Sequence, residues 1–349
     1  MQTIRLVLVG LGNLGRRLCE VLEDKEALLQ QRYGLAVRLV GAADSRGAAY
    51  TPDGLDLRQV AQLKREGGSI ADYPQVGRHG WAATALVAEA EADVLLEASP
   101  VNLEQGAEPA LTCIRTAMNR GMHVITPNKG PLVVAYRELH ALARSHGVQF
   151  RYDGTVAGGL PAINIGCRDM RAATIRRLEA VPNLTTGLMM DLLAEGLSWE
   201  EAIAQARAIG TLEGDGAWDL EGWDAVAKLV ILANAVLNFP ARMEDVIRTS
   251  IVGMDPAQLQ AARLRGERYR LLALAEQDPD HPEMYRLSVT PTALSADHPL
   301  GTLGSKQMGV VFHTDIYGTI TAIIDEPEPI PSAATMLRDL LDIYVSSDR

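Results

Sequence analysis

The stretch IRLVLVGLGNLG, residues 4–15, decides how the first part of this chain folds. It opens with an apolar run that ends at a glycine, as expected of a buried parallel strand. Glycines then follow at positions 10, 12 and 15, in the spacing G-x-G-x-x-G, where a helical pattern begins. A strand, a glycine-rich turn and a helix in this order are typical of a dinucleotide-binding unit. The alternative is a packing turn in an α/β protein that binds no nucleotide.

Each glycine has a separate task in such a loop. Gly10 permits the tight turn, Gly12 lets the backbone approach a pyrophosphate, and Gly15 allows the helix to pack closely on the strand. The free N–H groups at the start of the helix attract phosphate, as does the positive end of its dipole. We therefore predict a cofactor-binding loop formed by Gly10, Leu11, Gly12, Asn13, Leu14 and Gly15.

Strand-like and helix-like segments alternate through the first 150 residues or so. Further strand-like runs occupy residues 35–45, 92–99, 122–126 and 149–152. Repeated β-α-β spacing indicates an α/β fold, in which helices cover both faces of an open parallel sheet. We predict a Rossmann-type, doubly wound parallel sheet.

The end of the run 35–45 bears on the choice of cofactor. A carboxylate at this place, here Asp44, commonly accepts the ribose hydroxyls of NAD, whereas Arg46 could hold the 2′-phosphate of NADP. Lys64 could assist Arg46 in that role. Because Arg46 and Lys64 could equally be solvated surface cations, these residues leave NAD and NADP open.

Two loops fall at the carboxyl ends of strands, where ligands of open parallel sheets bind. Ser99-Pro100 closes the run 92–99, and TPNKGP, residues 126–131, follows the run 122–126. Two prolines restrict the second loop, which would aim the side chain of Lys129. We predict that Ser99 and Lys129 contact the cofactor. The alternative for Lys129 is a solvated loop lysine.

The pattern changes after Tyr152. Residues 153–166 are rich in glycine, helical segments follow near 186–195 and 199–209, and residues 311–325 are typical of a hairpin. The regular β-α-β order is lost, which predicts an α+β domain. We place a dinucleotide-binding domain at 1–153, completed by a C-terminal helix within 329–349, and a second domain at 154–328.

The segment GTLEGDGAWDLEGWDAVAKLV, residues 210–230, places one lysine in an apolar run. Lys228 is the only charged residue from 225 to 237, and a helix that is apolar on nearly every side is normally buried. A buried ammonium group must be paired, or its pKa must fall. Asp224 precedes Lys228 by four residues on the same helical face and is the expected partner.

Other carboxylates crowd the start of that segment. Asp219 is predicted to cap the helix that carries the lysine. Glu213 and Asp215 stand in a glycine-rich loop before it, where they could face a ligand. Acidic groups at a cleft suit a substrate with an ammonium group. The alternative for this loop is a solvated acidic face.

Together these motifs resemble those of the homoserine dehydrogenases, in the short form without a C-terminal regulatory domain. The resemblance extends to about residue 325. Residues 210–229 are similar to the family's G-x-x-E-x-D-P…D-x-x-G-x-D-A…K signature, 126–132 to its T-x-N-K loop, and 154–161 to its V-x-x-G-x-P segment. Gly216 stands where the family usually has proline, and a proline-rich link replaces its glycine-rich turn before the last helix.

The resemblance implies a role for the residues of the second domain, which would bind and convert the substrate. Lys228 would donate and accept the proton at the carbinol, with Lys129 between cofactor and substrate as a second catalytic residue. Glu213, Asp224 and Gly210 would bind homoserine. The implied reaction is the NAD(P)-dependent interconversion of L-homoserine and L-aspartate 4-semialdehyde, in the biosynthesis of threonine and methionine.

The resemblance also implies a homodimer, built partly from residues 154–165 and from the sheet near 286–325. It implies a sodium ion held by the backbone carbonyls of Val156, Gly158 and Leu160. Two other functions remain open at this point. One is a dehydrogenase of a related amino acid or semialdehyde, and the other is a non-catalytic sensor that binds NAD(P).

Composition narrows the possible partners. The 349 residues carry a formal charge of −11 and contain three cysteines. An acidic chain without a basic cluster is a poor partner for nucleic acid or an anionic membrane. Scattered cysteines favour a reducing compartment, and the N-terminal apolar run is too short for a signal peptide or a membrane span. We expect a cytoplasmic enzyme that acts on a small molecule.

Overall fold

The computed structural model describes residues 1–212, 216–326 and 330–345. The chain divides into two compact units. The first comprises residues 1–159 and the C-terminal helix, and the second begins at residue 160. The boundary was expected after residue 153. It lies later because Gly154 packs on the C-terminal helix: a Cβ added to Gly154 would lie 2.4 Å from the hydroxyl of Thr335.

A seven-stranded sheet forms the centre of the first unit. Its strands are β1 (Gln2–Val9), β2 (Leu35–Asp44), β3 (Gly47–Tyr50), β4 (Gly77–His79), β5 (Val94–Glu97), β6 (His123–Ile125) and β7 (Phe150–Arg151). They lie in the order β4-β3-β2-β1-β5-β6-β7. The five neighbouring strands β2, β1, β5, β6 and β7 are all parallel, which confirms the predicted parallel sheet. The short strands β3 and β4 at one edge pair antiparallel and were not predicted from the sequence.

Strand β1 is the middle strand of this sheet. Leu6 pairs with Leu39 of β2 on one side and with Val94 of β5 on the other. The residues Leu6, Val7 and Leu8 are at most 1% exposed. A parallel strand covered on both faces needs such an unbroken apolar run, which explains the pattern that opens the chain.

Thirteen α-helices occur in the described residues, besides five short 3-10 or π helices. They are α1 (Asn13–Asp24), α2 (Glu26–Leu28), α3 (Leu57–Arg65), α4 (Ala83–Glu89), α5 (Ala110–Asn119), α6 (Lys129–Ser145), α7 (Ala162–Asn164), α8 (Leu184–Ala194), α9 (Trp199–Ala208), α10 (Ala217–Leu220), α11 (Trp223–Ala235), α12 (Pro256–Leu264) and α13 (Ile330–Tyr344). Helix α1 packs against α3 and against α13. No helix in the described residues is long and apolar enough to cross a membrane.

The second unit contains a six-stranded sheet in which most neighbours are antiparallel. Its strands are β8 (Ile175–Val181), β9 (Val246–Arg248), β10 (Glu267–Gln277), β11 (Tyr285–Ser295), β12 (Gln307–Thr314) and β13 (Thr319–Asp325). They lie in the order β13-β12-β8-β10-β11-β9, and β9 runs parallel to β11. Helices α8, α11 and α12 all contact β10, so a helical layer rests on an antiparallel sheet, as in α+β architectures.

Some helices of this unit start with a side-chain cap, whereas α10 and α11 start after a glycine without one. The side chain of Asn183 accepts from the N–H of Thr186 at the start of α8, and Ser198 caps α9. The prediction that Asp219 caps the helix of Lys228 is wrong. Gly222, with a φ of 87°, precedes α11, and Asp219 lies in the short helix α10 before it. A glycine adopts this left-handed conformation at little cost.

Candidate active site

The glycine-rich loop after β1 has the geometry of a dinucleotide-binding turn. Gly10 has a φ of +95°, and a Cβ there would lie 2.4 Å from the backbone of Ala98. A Cβ on Gly15 would lie 2.0 Å from the carbonyl oxygen of Gly10. By contrast, a Cβ on Gly12 would have no atom within 4 Å. Two glycines thus allow close packing, while the third faces the open space that an approaching pyrophosphate needs.

Helix α1 begins directly at this loop without a side-chain cap. Gly12 occupies the N-cap position, and the first turn contains no acidic residue. The N–H groups of an uncapped first turn have no intrahelical acceptor. Together with the helix dipole they form a binding site for an anion such as a phosphate group.

A cavity of about 810 Å³ opens above the loop, within the first unit. This volume suits a cofactor-sized ligand. Ser99 and Asn128 line it from the ends of β5 and β6, as expected for loops at the carboxyl edge of the sheet. The predicted cofactor residues that line the cavity are Gly10, Leu11, Gly12, Asn13, Leu14, Asp44, Lys64 and Ser99. Two predicted residues are not among this lining: Gly15, in the first turn of α1, and Arg46, which is exposed and follows the lining residue Ser45.

Asp44, at the end of β2, already has four donors within the protein. Lys64 Nζ and the Ile70 N–H donate to Oδ2 at 2.7 and 3.0 Å, and the Ser69 hydroxyl and the Arg46 N–H donate to Oδ1 at 2.8 and 2.9 Å. Burial alone would raise the pKa of Asp44, but these bonds outweigh it and lower the pKa to about 2. A carboxylate has about four acceptor positions, so the protein occupies all of them.

The two basic residues near Asp44 keep donors to spare. Lys64 Nζ donates to Asp44 and to the carbonyl of Gly68 at 2.9 Å, which uses two of its three N–H bonds. Arg46 donates one Nη2 bond to the carbonyl of Gly67 at 2.9 Å, and its guanidinium group is exposed. This edge of the cavity therefore offers donors rather than acceptors.

A buried carboxyl group connects the two loops at the other edge. Glu97 ends β5 and is wholly buried. Its Oε1 accepts from the N–H and the hydroxyl of Ser99, and its Oε2 lies 3.1 Å from the hydroxyl of Thr126. Burial raises the pKa of Glu97 despite these bonds. Glu97 was not predicted from the sequence, because no motif or spacing around the run 92–99 marks it.

Lys129 is the first residue of α6, directly after the lining residue Asn128. The Asn128 side chain caps this helix by accepting from the N–H of Gly130 at 3.0 Å. Its backbone N–H donates to the Thr126 hydroxyl at 3.0 Å. These two bonds fix the backbone on either side of Lys129.

In the second unit, Lys228 lies on α11 with 12% of its side chain exposed. Its Nζ lies 2.8 Å from Asp224 Oδ2 and donates to the carbonyl of Pro182 at 2.6 Å. The expected pairing with Asp224 is present. The Pro182 carbonyl is an additional partner that the sequence could not indicate, because it comes from a segment 46 residues away.

Asn183 connects this pair to a second carboxylate. Its Nδ2 donates to Asp224 Oδ2 and to Asp219 Oδ1, both at 2.7 Å. The carboxylate that was expected to cap α11 is thus bound by a side-chain amide instead. The available signal was the position of Asn183 in the short loop between a strand and a helix, since binding and catalytic residues often lie on loops.

Parts of the predicted substrate loop lie outside the described residues. Glu213 and Asp215 are in that gap. Gly210, on its near side, is exposed with a φ of +74°. On the far side, Gly216 has a φ of +67°, a conformation that proline cannot adopt. This explains why glycine replaces the proline usual in the motif.

Comparison with known proteins settles the relationship. A model of the homoserine dehydrogenase NAD-binding domain matches residues 10–153, and a model of the homoserine dehydrogenase domain matches residues 161–341. The chain belongs to the homoserine dehydrogenase family. It is therefore an NAD(P)-dependent oxidoreductase, as the motifs predicted.

Relatives in this homoserine dehydrogenase family align along nearly the whole chain. A homoserine dehydrogenase of Methanocaldococcus jannaschii is 34% identical over 345 residues, which covers 99% of each protein. An NAD(+)-dependent homoserine dehydrogenase of Pseudomonas canavaninivorans is 32% identical over 350 residues, covering 100% of this chain and 98% of that one.

Solved structures show the same fold. A protein of Archaeoglobus fulgidus, provisionally assigned as a homoserine dehydrogenase, is 30% identical with a TM-score of 0.86 and covers 98% of this chain and 100% of its own. A hyperthermophilic archaeal homoserine dehydrogenase in complex with NADPH has a TM-score of 0.83 at 24% identity, covering 98% of each chain.

Proposed function

We propose that Lys228 is the proton-transferring residue in the interconversion of L-homoserine and L-aspartate 4-semialdehyde. The observation that carries the proposal is the environment of its ammonium group. The described residues engage two of its three N–H bonds, through Asp224 and the Pro182 carbonyl. The third is available to a substrate oxygen, and the surrounding helix is buried.

In the reductive direction, Lys228 donates its proton to the aldehyde oxygen while the carbonyl carbon receives a hydride. A bound nicotinamide supplies that hydride. The ammonium group stabilises the negative charge that develops on the oxygen, and a low-dielectric site strengthens this effect. In the oxidative direction, the neutral amine accepts the hydroxyl proton as the hydride leaves carbon. Asp224 keeps the amine oriented throughout.

The substrate's own charges fit the acidic surroundings of Lys228. Homoserine carries an ammonium group, and Asp224 contributes one carboxylate to the site. We assign Glu213 and Gly210 to the same substrate pocket on the strength of the motif they share with the family. Lys129, at the start of α6, is assigned to the cofactor side of the reaction.

For the cofactor, we propose a preference for NADP(H) over NAD(H). A ribose 2′-hydroxyl needs an acceptor, and all acceptor positions of Asp44 are occupied. A 2′-phosphate needs donors, and Lys64 and Arg46 have them. The helix start at Gly12 would hold the pyrophosphate.

Three further assignments accompany this proposal. We propose a cytoplasmic homodimer that involves residues 154–165 and the sheet of the second unit. The sodium ion at Val156, Gly158 and Leu160 stays a prediction.

Steady-state kinetics of Lys228→Ala tests the central assignment. We expect kcat to fall about 100-fold or more, the usual contribution of a general acid–base group, while the Kd of NADPH stays unchanged. Lys306→Ala, which alters an exposed lysine of the same unit, is the matched control and should retain full activity. Normal turnover of Lys228→Ala would refute the mechanism, and cofactor binding without turnover in the unaltered chain would favour a sensor.

A further inference from the structure

Asn183 is a buried amide near Lys228 that makes three hydrogen bonds through its side chain. It is 7% exposed and lies between β8 and α8, one residue beyond the end of the strand. Both N–H bonds of Nδ2 are used, one on Asp219 and one on Asp224. Its Oδ1 accepts from the N–H of Thr186 at 3.0 Å. One side chain therefore joins the start of α8 to two carboxylates of the helix pair α10 and α11.

We propose that Asn183 is a positioning residue that fixes Asp219 and Asp224 and thereby aims Lys228. The inference rests on the proposed role of Lys228 in proton transfer. Asn183 itself touches neither the reacting oxygen nor the hydride in this scheme. It acts through Asp224, whose Oδ2 accepts from the amide at 2.7 Å and lies 2.8 Å from the lysine.

The amide has a geometric effect. Like charges repel strongly where water is scarce, and Asp219 and Asp224 each bring an oxygen to the same nitrogen. The two N–H bonds of a planar amide point in fixed directions, so each carboxylate is held in one orientation. Asp224 is 4% exposed, and without the amide it could turn away from the direction that presents Lys228 to a substrate.

The amide also has an electrostatic effect. Hydrogen bonds to a carboxylate stabilise its charged form, and they disperse charge that would otherwise act on the neighbouring ammonium group. When the amide is lost, Asp224 attracts the proton of Lys228 more strongly. Oxidation requires the neutral amine, so the pH at which oxidation begins should rise.

The neighbouring residues anchor the same segment. The carbonyl of Pro182, next to Asn183, accepts from Lys228 at 2.6 Å. Two residues further on, the Thr185 hydroxyl donates to the carbonyl of Thr211 at 3.0 Å, next to the predicted substrate residue Gly210. The segment between β8 and α8 thus contacts the lysine, its carboxylate partner and the base of the substrate loop.

Two substitutions separate this role from helix capping. Serine and aspartate are both good N-cap residues, so Asn183→Ser and Asn183→Asp should preserve α8. Asn183→Ser removes the amide that donates two hydrogen bonds. Asn183→Asp places a third carboxylate beside Asp219 and Asp224. Asp255→Ser, at the N-cap of α12 in the same unit, is the matched control for altering a cap.

We expect kcat of Asn183→Ser to fall about tenfold, and that of Asn183→Asp about 100-fold, since small misplacements of a catalytic group cost rate on this scale. The rise of kcat with pH in homoserine oxidation should shift upward by about half a pH unit or more in Asn183→Ser. The Kd of NADPH in both Asn183 variants should equal that of the unaltered chain. In the control Asp255→Ser, kcat and its pH dependence should also be unchanged.

The outcomes distinguish this inference from the proposed function. If Lys228→Ala is inactive while both Asn183 variants keep the kcat and pH profile of the unaltered chain, the positioning role is wrong and the function stands. If Lys228→Ala turns over normally, the proposed function fails instead. If kcat of Asn183→Ser falls but its pH profile does not shift, Asn183 has only a structural role. That result would overturn the electrostatic effect of its amide on Asp224 and Lys228.

Discussion

At the end of β2, Asp44 and Lys64 neutralise each other, and this pair determines what the cavity offers to a nucleotide. The distance between Lys64 Nζ and Asp44 Oδ2 is 2.7 Å, and both side chains are largely buried. Ser69 and two backbone N–H groups complete the shell of Asp44. A carboxylate held in this way is a poor acceptor for a further hydroxyl. The choice between NAD and NADP therefore depends on the adjacent cations, Lys64 and Arg46.

The cofactor preference can be measured as a difference between two dissociation constants. We expect the unaltered chain to bind NADPH more tightly than NADH. In Lys64→Ala the Kd of NADPH should rise about tenfold or more, because a charge-assisted bond is lost. The Kd of NADH should rise less, since Asp44 is released. Lys25→Ala, an exposed lysine of the same unit, is the control. Tighter binding of NADH by the unaltered chain would contradict the assignment.

Helix α13 is held on the first unit by apolar packing and by one polar cluster. Its residues Met336 and Leu340 belong to the same core cluster as Leu18 and Leu22 of α1. Nearby, Arg338 forms an ion pair with Asp153 and donates to the carbonyl of Gly159 at 3.1 Å. The C-terminal helix thus depends on the segment 153–159, which explains why that segment belongs to the first unit.

The stability of this element should depend on pH through Asp339. Burial, and then the neighbouring Asp153 carboxylate, raise the pKa of Asp339 to about 8. Between the ordinary pKa of about 4 and this value, the folded protein holds a proton that the unfolded chain has lost. The free energy of unfolding therefore falls as the pH rises through this range.

Asp339→Asn mimics the protonated carboxyl group and removes this dependence. Thermal unfolding should show that the Tm of the variant, relative to the Tm of the unaltered chain, increases between pH 5 and pH 8. Above pH 8 this difference in Tm should stay constant. The reading at pH 5 serves as the internal reference. A difference in Tm that stays the same from pH 5 to pH 9 would show that Asp339 does not titrate in this way.

At the scale of the whole molecule, the sheet of the second unit presents apolar side chains to solvent. Ile323 on β13 is 43% exposed, and Tyr317 in the turn between β12 and β13 is 48% exposed. Both residues lie within the range 286–325 that the family resemblance assigns to the dimer, where a second chain could cover them. They support the proposed homodimer.

Light scattering of the unaltered chain should therefore give twice the mass of one chain. Ile323→Glu should shift the mass towards that of one chain, because a carboxylate at an interface must be desolvated. Ile247→Glu, at the opposite edge of the same sheet and 70% exposed, is the matched control and should remain dimeric. A single-chain mass for the unaltered protein would exclude the dimer.

The sequence by itself determined the local conformations and the family. The apolar run before Gly10 and the spacing of Gly10, Gly12 and Gly15 fix a strand, a turn and a helix, because backbone sterics act over a few residues. Asp224 and Lys228 are neighbours for the same reason, since one helical turn separates them. Both features could be predicted from the sequence because each depends on a short stretch of chain.

Only the tertiary structure decided which distant groups meet. Asn183 and Asp224 are 41 residues apart, and Asp44 and Ser69 are 25 apart. No periodic pattern relates such residues. Their contact depends on where packing of the apolar core places each strand and helix end, and a buried polar group then bonds to whichever partner lies there. Lys228 could therefore be predicted from the sequence alone. The contact of Asn183 with its partner Asp224 depends on the tertiary structure.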